Sequence, residues 1–179
     1  MTVFGLKLGY QVRGQDDELA LQKMQVAFER MGEGMENFGE VFFPKLTLIL
    51  EDEVEGQFKA EGKGPNRGNW KDLSPAYEAQ KLKKYPGTPK LVATGTMKEA
   101  LTQSSSANAL RQEGGNSFNF GTSGVPYASL HQTGTSKMPD RPPFDFGADF
   151  EKKVQHGAAE AAREIATSTG VTDFAEWKD

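Results

Sequence analysis

Leu21, Met24, Phe28, Met31, Met35, Phe38 and Phe42 follow one another at alternating intervals of three and four residues. Only a helix brings such positions onto one face, so the chain must form a long amphipathic helix whose narrow apolar stripe needs a cover. The opposite face carries Gln22, Glu29, Glu33, Glu36 and Glu40. Gly32, Gly34 and Gly39 each weaken a helix by about 1 kcal/mol relative to Ala. The helix therefore needs support from its own domain or from a sister subunit, and the spacing fits either. Pro44 lacks an N–H and clashes with the turn before it, which predicts a break near Phe42-Phe43. A second helix is then expected from residue 44, burying Leu46, Ile49, Leu50, Val54 and Phe58.

Other segments are shorter. Phe4, Leu6, Leu8, Tyr10 and Val12 alternate with polar or small residues, a period that predicts a strand over residues 3–13. Residues 60–69 read as a loop. Ser74 before Pro75 is a helix start, with Ser as cap and Pro in the first turn, and Pro86-Gly87 stops that helix after residue 84. Thr94-Gly95 reads as a turn, with Thr96 capping a short helix to residue 101. Residues 107–111 and 117–121 flank Glu113-Gly114-Gly115-Asn116, which predicts a β-hairpin. Residues 127–132 form a short apolar piece. A last helix is expected over 148–166, with Phe150, Val154, Ala158, Ala161 and Ile165 on one side. The expected fold is α+β: a small antiparallel sheet packed against a long N-terminal helix and a C-terminal helix. A single domain over residues 1–166 precedes a polar tail, 167–179, with two apolar anchors, Phe174 and Trp177.

Composition excludes several functions. The 179 residues include no cysteine, so disulfides, thiolate metal sites and a Cys nucleophile are ruled out. The only imidazoles are His131 and His156. No apolar stretch is long enough to span a membrane, and the opening MTVFGLKLGYQVRG carries no secretory leader pattern. A soluble protein of a reducing compartment is expected. The net charge of −4 is unevenly placed, with eleven acids against three bases over 16–55 and eight bases against three acids over 59–90. A protein that grips a phosphate backbone should be basic, and this one has a single lysine-rich segment. Lys81, Lys83 and Lys84 read first as a solvated helix face, and otherwise as a docking patch for an acidic surface.

Candidate chemistry is sparse. Gly62-Lys63-Gly64-Pro65-Asn66-Arg67-Gly68 lacks the spacing of a phosphate loop, and Pro65 removes one cradling N–H. Ser129 and His131 would share a face on a strand near Asp140, but no Gly-x-Ser-x-Gly elbow surrounds the serine. His131, Asp140, Asp145 and Asp149 match no metal-ligand spacing. His131 is expected to bond a backbone group, and Trp70 to anchor a core or an interface. No catalytic residue, cofactor or metal is predicted, and the chain is not expected to be an enzyme.

Three segments carry a resemblance. They are Gly68-Asn69-Trp70-Lys71-Asp72-Leu73-Ser74-Pro75 with its lysine-rich helix, Leu91-Val92-Ala93-Thr94-Gly95-Thr96-Met97, and Tyr127-Ala128-Ser129-Leu130-His131-Gln132-Thr133-Gly134 leading into Met138-Pro139-Asp140-Arg141-Pro142-Pro143-Phe144. The series resembles the phage virion-morphogenesis family, the tail-completion proteins of Mu-like and P2-like tailed phages. The motif positions are Trp70, Leu73, Ser74, Pro75, Thr94, Gly95, Tyr127, Ala128, His131, Gly134, Pro139, Arg141 and Pro142. Met97 stands where the family has Leu, Thr133 replaces an aromatic, and Pro143 is an insertion before Phe144. The resemblance implies a virion protein of the head–tail junction, made in the host cytoplasm. It would form a homo-oligomeric ring, commonly a hexamer, joining the head connector or head-closure protein to a tail terminator or tail tube. DNA would pass through without specific binding, with no membrane involved. Apart from the resemblance, the two apolar anchors of the tail, Phe174 and Trp177, are candidates for an intersubunit contact with an adjacent copy. The same motifs fit a tail assembly factor absent from the mature virion, and the lysine-rich segment leaves a nucleic-acid accessory role open.

Overall fold

A computed structural model describes residues 37–63, 70–114, 117–146 and 148–169. The strand expected over 3–13, most of the first apolar stripe, residues 64–68 of the glycine-rich loop, and Phe174 and Trp177 lie outside the described residues. The elements in order are helix α1 (Phe38–Lys59), helix α2 (Pro75–Lys84), helix α3 (Thr96–Thr102), strands β1 (Ala109–Gly114) and β2 (Ser117–Thr122), helix α4 (Ala128–Thr133) and helix α5 (Ala148–Ser168). The architecture is α+β, with the two strands pairing antiparallel and Arg111 opposite Phe120.

The predicted break at Phe42-Phe43 does not occur. Helix α1 runs unbroken through Pro44. Pro44 and Glu40 are both on the exposed side, so the carbonyl that loses its i+4 donor faces water rather than the core. Phe38 and Phe42 stack with ring centroids 5.2 Å apart, and Phe43 stacks on Phe118 at 5.3 Å. These aromatic contacts brace the helix on either side of the proline. Farther along, Leu50, Val54 and Phe58 are buried as expected, but so are Thr47, Glu53 and Gln57.

Helix α5 packs antiparallel on α1. Lys153 pairs with Glu53 near one end, and Lys45 pairs with Glu164 at 3.0 Å near the other. Gly157 sits where a Cβ would come within 2.9 Å of Ile49 Cδ1, so the helices approach closely at that turn. Glu53 is a buried carboxylate, and its hydrogen bond raises the Lys153 ammonium above its ordinary value. A core of Val54, Phe58, Trp70, Met97, Ala100, Leu101 and Val125 joins the C-terminal half of α1 to α3 and the loops. Arg111 of β1 lies over the Phe120 ring at 3.7 Å and donates to Glu51 of α1 at 2.9 Å. It also donates to the carbonyls of Ala100 and Leu101 at the end of α3.

Where α1 ends, the chain turns sharply. Gly62 N–H donates to Gln57 O at 3.0 Å and Glu61 N–H to Phe58 O at 3.2 Å, with left-handed φ values at Glu61 (50°) and Gly62 (75°). This is the hydrogen-bond pattern of a Schellman stop. A Cβ on Gly62 would meet the Trp70 backbone N at 2.6 Å. Gly62→Ala is therefore expected to destabilise the fold by about 2–4 kcal/mol, from left-handed strain plus overpacking. Urea denaturation of the purified variant measures it. The glycine that begins the phosphate-loop-like sequence is thus committed to ending a helix and seating Trp70.

Candidate functional site

Three of the motif residues, Trp70, Arg141 and Pro142, come together at the C-terminal end of α1. Trp70 is 2% exposed and meets Phe58 edge-on, with ring centroids 5.4 Å apart. Its Nε1–H donates to Pro142 O at 3.0 Å. Arg141 is buried, and its Nε and Nη2 donate to the carbonyls of Lys71 and Asp72 at 2.7 and 2.8 Å. The Arg141 backbone N–H donates to His131 O at 2.8 Å. Gln132 and Phe144 exchange two hydrogen bonds at 3.0 and 3.1 Å. Segments some 70 residues apart are thus clasped by one tryptophan and one arginine. Gly134 has the conformation φ 71°, ψ −179°, which is reserved for glycine, and a Cβ there would lie 2.8 Å from Asp140 N. It lets the 134–140 loop fold back onto α4.

Ser74 caps α2 as expected, accepting from Tyr77 N–H at 3.4 Å with Pro75 in the first turn. Gly95, rather than Thr96, is the N-cap of α3; its left-handed φ of 88° turns the chain into the helix, and Thr94 Oγ1 lies 2.9 Å from Thr96 Oγ1. Leu73 is half-buried and Ala128 packs against the core. Pro139 is half-buried beside Arg141.

Between α2, α3, α4 and the 134–140 loop lies a cavity of about 820 Å³. Leu73, Tyr77, Leu91, Met97, Tyr127 and Met138 supply apolar wall. Lys81, Lys137 and Arg141 line it as cations, against Asp72 as the one carboxylate. Asp72 is itself committed to Lys90 Nζ at 2.6 Å, and that hydrogen bond holds its carboxyl below the ordinary value. Among the described residues no ion pair takes Arg141, whose partners are backbone carbonyls. Lys81 is likewise satisfied by Thr88 O, Thr88 Oγ1 and Pro89 O at 2.6–2.8 Å. Burial pushes the Lys81 ammonium below its ordinary value. The solvated-face reading of Lys81 is therefore wrong: its stem turns inward because the 88–89 carbonyls offer it acceptors, while Lys83 and Lys84 remain exposed.

His131 does not bond a backbone group through Nδ1, which is buried without a partner among the described residues. Its ring meets Tyr127 edge-on at 6.1 Å. Burial, and then the Arg141 charge, push the imidazole below its ordinary value near 6.5. The unfolded chain therefore binds this proton at a higher pH than the folded one. Stability should be intact above about pH 6.5 and fall as the pH drops below it, until the folded pKa is passed. Urea denaturation at about pH 7 and pH 5 measures the slope, and His131→Gln should reduce it.

The structure does not bring Ser129, His131 and Asp140 together as a triad. Ser129 and His131 sit on a helix rather than a strand, so their side chains point about 200° apart. Ser129 Oγ donates to Pro126 O, and Asp140 pairs with Lys71. Among the described residues no group of His, Asp and Glu is placed to hold a metal ion, and no helix is long and apolar enough to cross a membrane. The sequence reading did not foresee the cavity, because its walls come from four segments. The signal within reach was the set of apolar residues Leu91, Met97 and Met138 in segments otherwise rich in polar and small residues. The chain matches no protein-family model, and no curated protein or solved structure is significantly similar to it.

Proposed function

We propose that the chain is a structural protein of a phage head–tail junction, acting as one copy of a ring that joins the head connector to the tail and lets DNA pass. The observation that carries this reading is the ordered motif series from Trp70 to Pro142. It is supported by the way those motifs clasp one another through Trp70 and Arg141 at one end of α1. Residues without catalytic geometry are spent on fixing loop shape, which is what a surface for neighbouring subunits requires. The role proposed is mechanical, with no reaction. A head-to-tail contact repeated about an axis closes a ring when its rotation divides a full turn. The overall acidic balance would keep DNA phosphates from sticking to the channel.

Deletion of the gene from the phage that encodes it tests the reading. Filled heads and free tails that fail to join are expected, with joining restored by the protein in trans. Normal joining without the protein would contradict it. A protein required for joining but absent from finished particles would identify a tail assembly factor instead.

A further inference from the structure

We infer that the cavity beside Arg141 is a receptor for the C-terminal segment of a neighbouring copy, with Phe174 and Trp177 as the inserted side chains. The inference rests on the ring reading only for the choice of a second copy as occupant.

The cavity has three cationic side chains in apolar walls, and its one carboxylate is already bound to Lys90. The Arg141 guanidinium is hydrogen-bonded to carbonyls, and the Asp72 carboxylate that feels its charge is shared with Lys90, so the cavity keeps a net positive charge that a carboxylate would balance. The fitting occupant is an aromatic segment with acids beside the rings. Residues 172–179 read Thr-Asp-Phe-Ala-Glu-Trp-Lys-Asp, placing Asp173 and Glu176 directly before Phe174 and Trp177. Tyr77 and Tyr127, 52% and 41% exposed at the lip, offer rings for an aromatic to pack on.

Chain length excludes the same molecule as donor for Phe174. Helix α5 runs away from the cavity: Glu164 is beside Lys45, whereas Pro142 and Trp70, which adjoin the cavity-lining segments in the chain, are seated on Gln57 and Phe58. Twelve residues of α1 separate those levels, about 18 Å, and α5 continues roughly 7 Å farther to residue 169. Phe174 would have to return about 25 Å, and five fully extended residues reach about 18 Å at most. A neighbouring copy has no such limit, and a segment donated from one copy to the next is a head-to-tail contact.

The test uses the full chain carrying Phe174→Ala and Trp177→Ala, so that its own segment cannot compete. A fluorescent peptide of residues 170–179 is titrated with it and followed by anisotropy. Saturable binding is expected, weakened at least about tenfold when both aromatics of the peptide become Ala. Lys137 is exposed, so Lys137→Glu should leave the melting curve unchanged, weaken the peptide several-fold and be rescued by Glu176→Lys in the peptide. No binding up to about 1 mM chain, or equal binding by the peptide without its aromatics, overturns the inference. Failed peptide binding by a chain that still self-associates overturns the docking and leaves the ring reading standing. Peptide binding by the double variant, with the native chain itself staying monomeric, supports the docking and counts against the ring.

Discussion

Arg111→Ala should destabilise the protein by about 3–5 kcal/mol, because it leaves the largely covered Glu51 carboxylate without its cation and with Ser104 Oγ as its remaining donor. The Arg111 and Glu51 side chains are only 10% and 14% exposed, and their 2.9 Å contact joins β1 to α1 across 60 residues. The same guanidinium donates to the carbonyls of Leu110, Gly121, Ala100 and Leu101, and it covers the Phe120 ring. Removing it leaves acceptors unpaired at the end of α3 and within the hairpin at once. Domains of this size are stable by about 5–15 kcal/mol, so the loss is a large share of the total. Arg111→Lys keeps the charge but not the forked donors, and should recover only part of it. Replacing both partners, Glu51→Leu with Arg111→Met, should cost less than Arg111→Ala alone, since no charge is then left buried. Chemical denaturation of the four proteins measures each difference.

Trp70→Ala should cost about 3–5 kcal/mol, from a large cavity in the core beside Phe58. Trp70 also holds Pro142 through its indole N–H, so the clasp between the 70–75 and 139–142 segments should loosen. Trp70→Phe separates the two effects. It keeps much of the packing and should lose about 1 kcal/mol for the hydrogen bond, beyond the change in volume. Proteolysis of the 134–140 loop in Trp70→Phe, compared with the native chain, reads the clasp independently of global stability. An unchanged melting curve for Trp70→Ala would contradict the packing of Trp70 in the core.

Local chemistry was legible in the sequence because its causes are local. Ser74-Pro75 caps and starts α2, and the strands expected on either side of the glycine pair form the hairpin, since each depends on backbone preferences of adjacent residues. The stripe of Ala161 and Ile165 placed α5 to within two residues of its end at Ser168. What the sequence concealed depends on partners far along the chain. Pro44 breaks an isolated helix, but aromatic stacking on the hairpin carries α1 through it. Lys81 looks solvated in a lysine-rich run until the carbonyls of Thr88 and Pro89 are placed around it. Arg111 sits in a strand of mixed character, and nothing near it announces Glu51. The cavity was invisible for the same reason.

The central claim is that this chain works as one of several copies around the axis between head and tail. A residue-resolution reconstruction of the neck of the assembled particle tests it most directly. The account predicts a closed ring of this fold between connector and tail, each copy contacting the next. Particles whose neck is fully built from other chains, with this one recovered only as a free monomer, would contradict it.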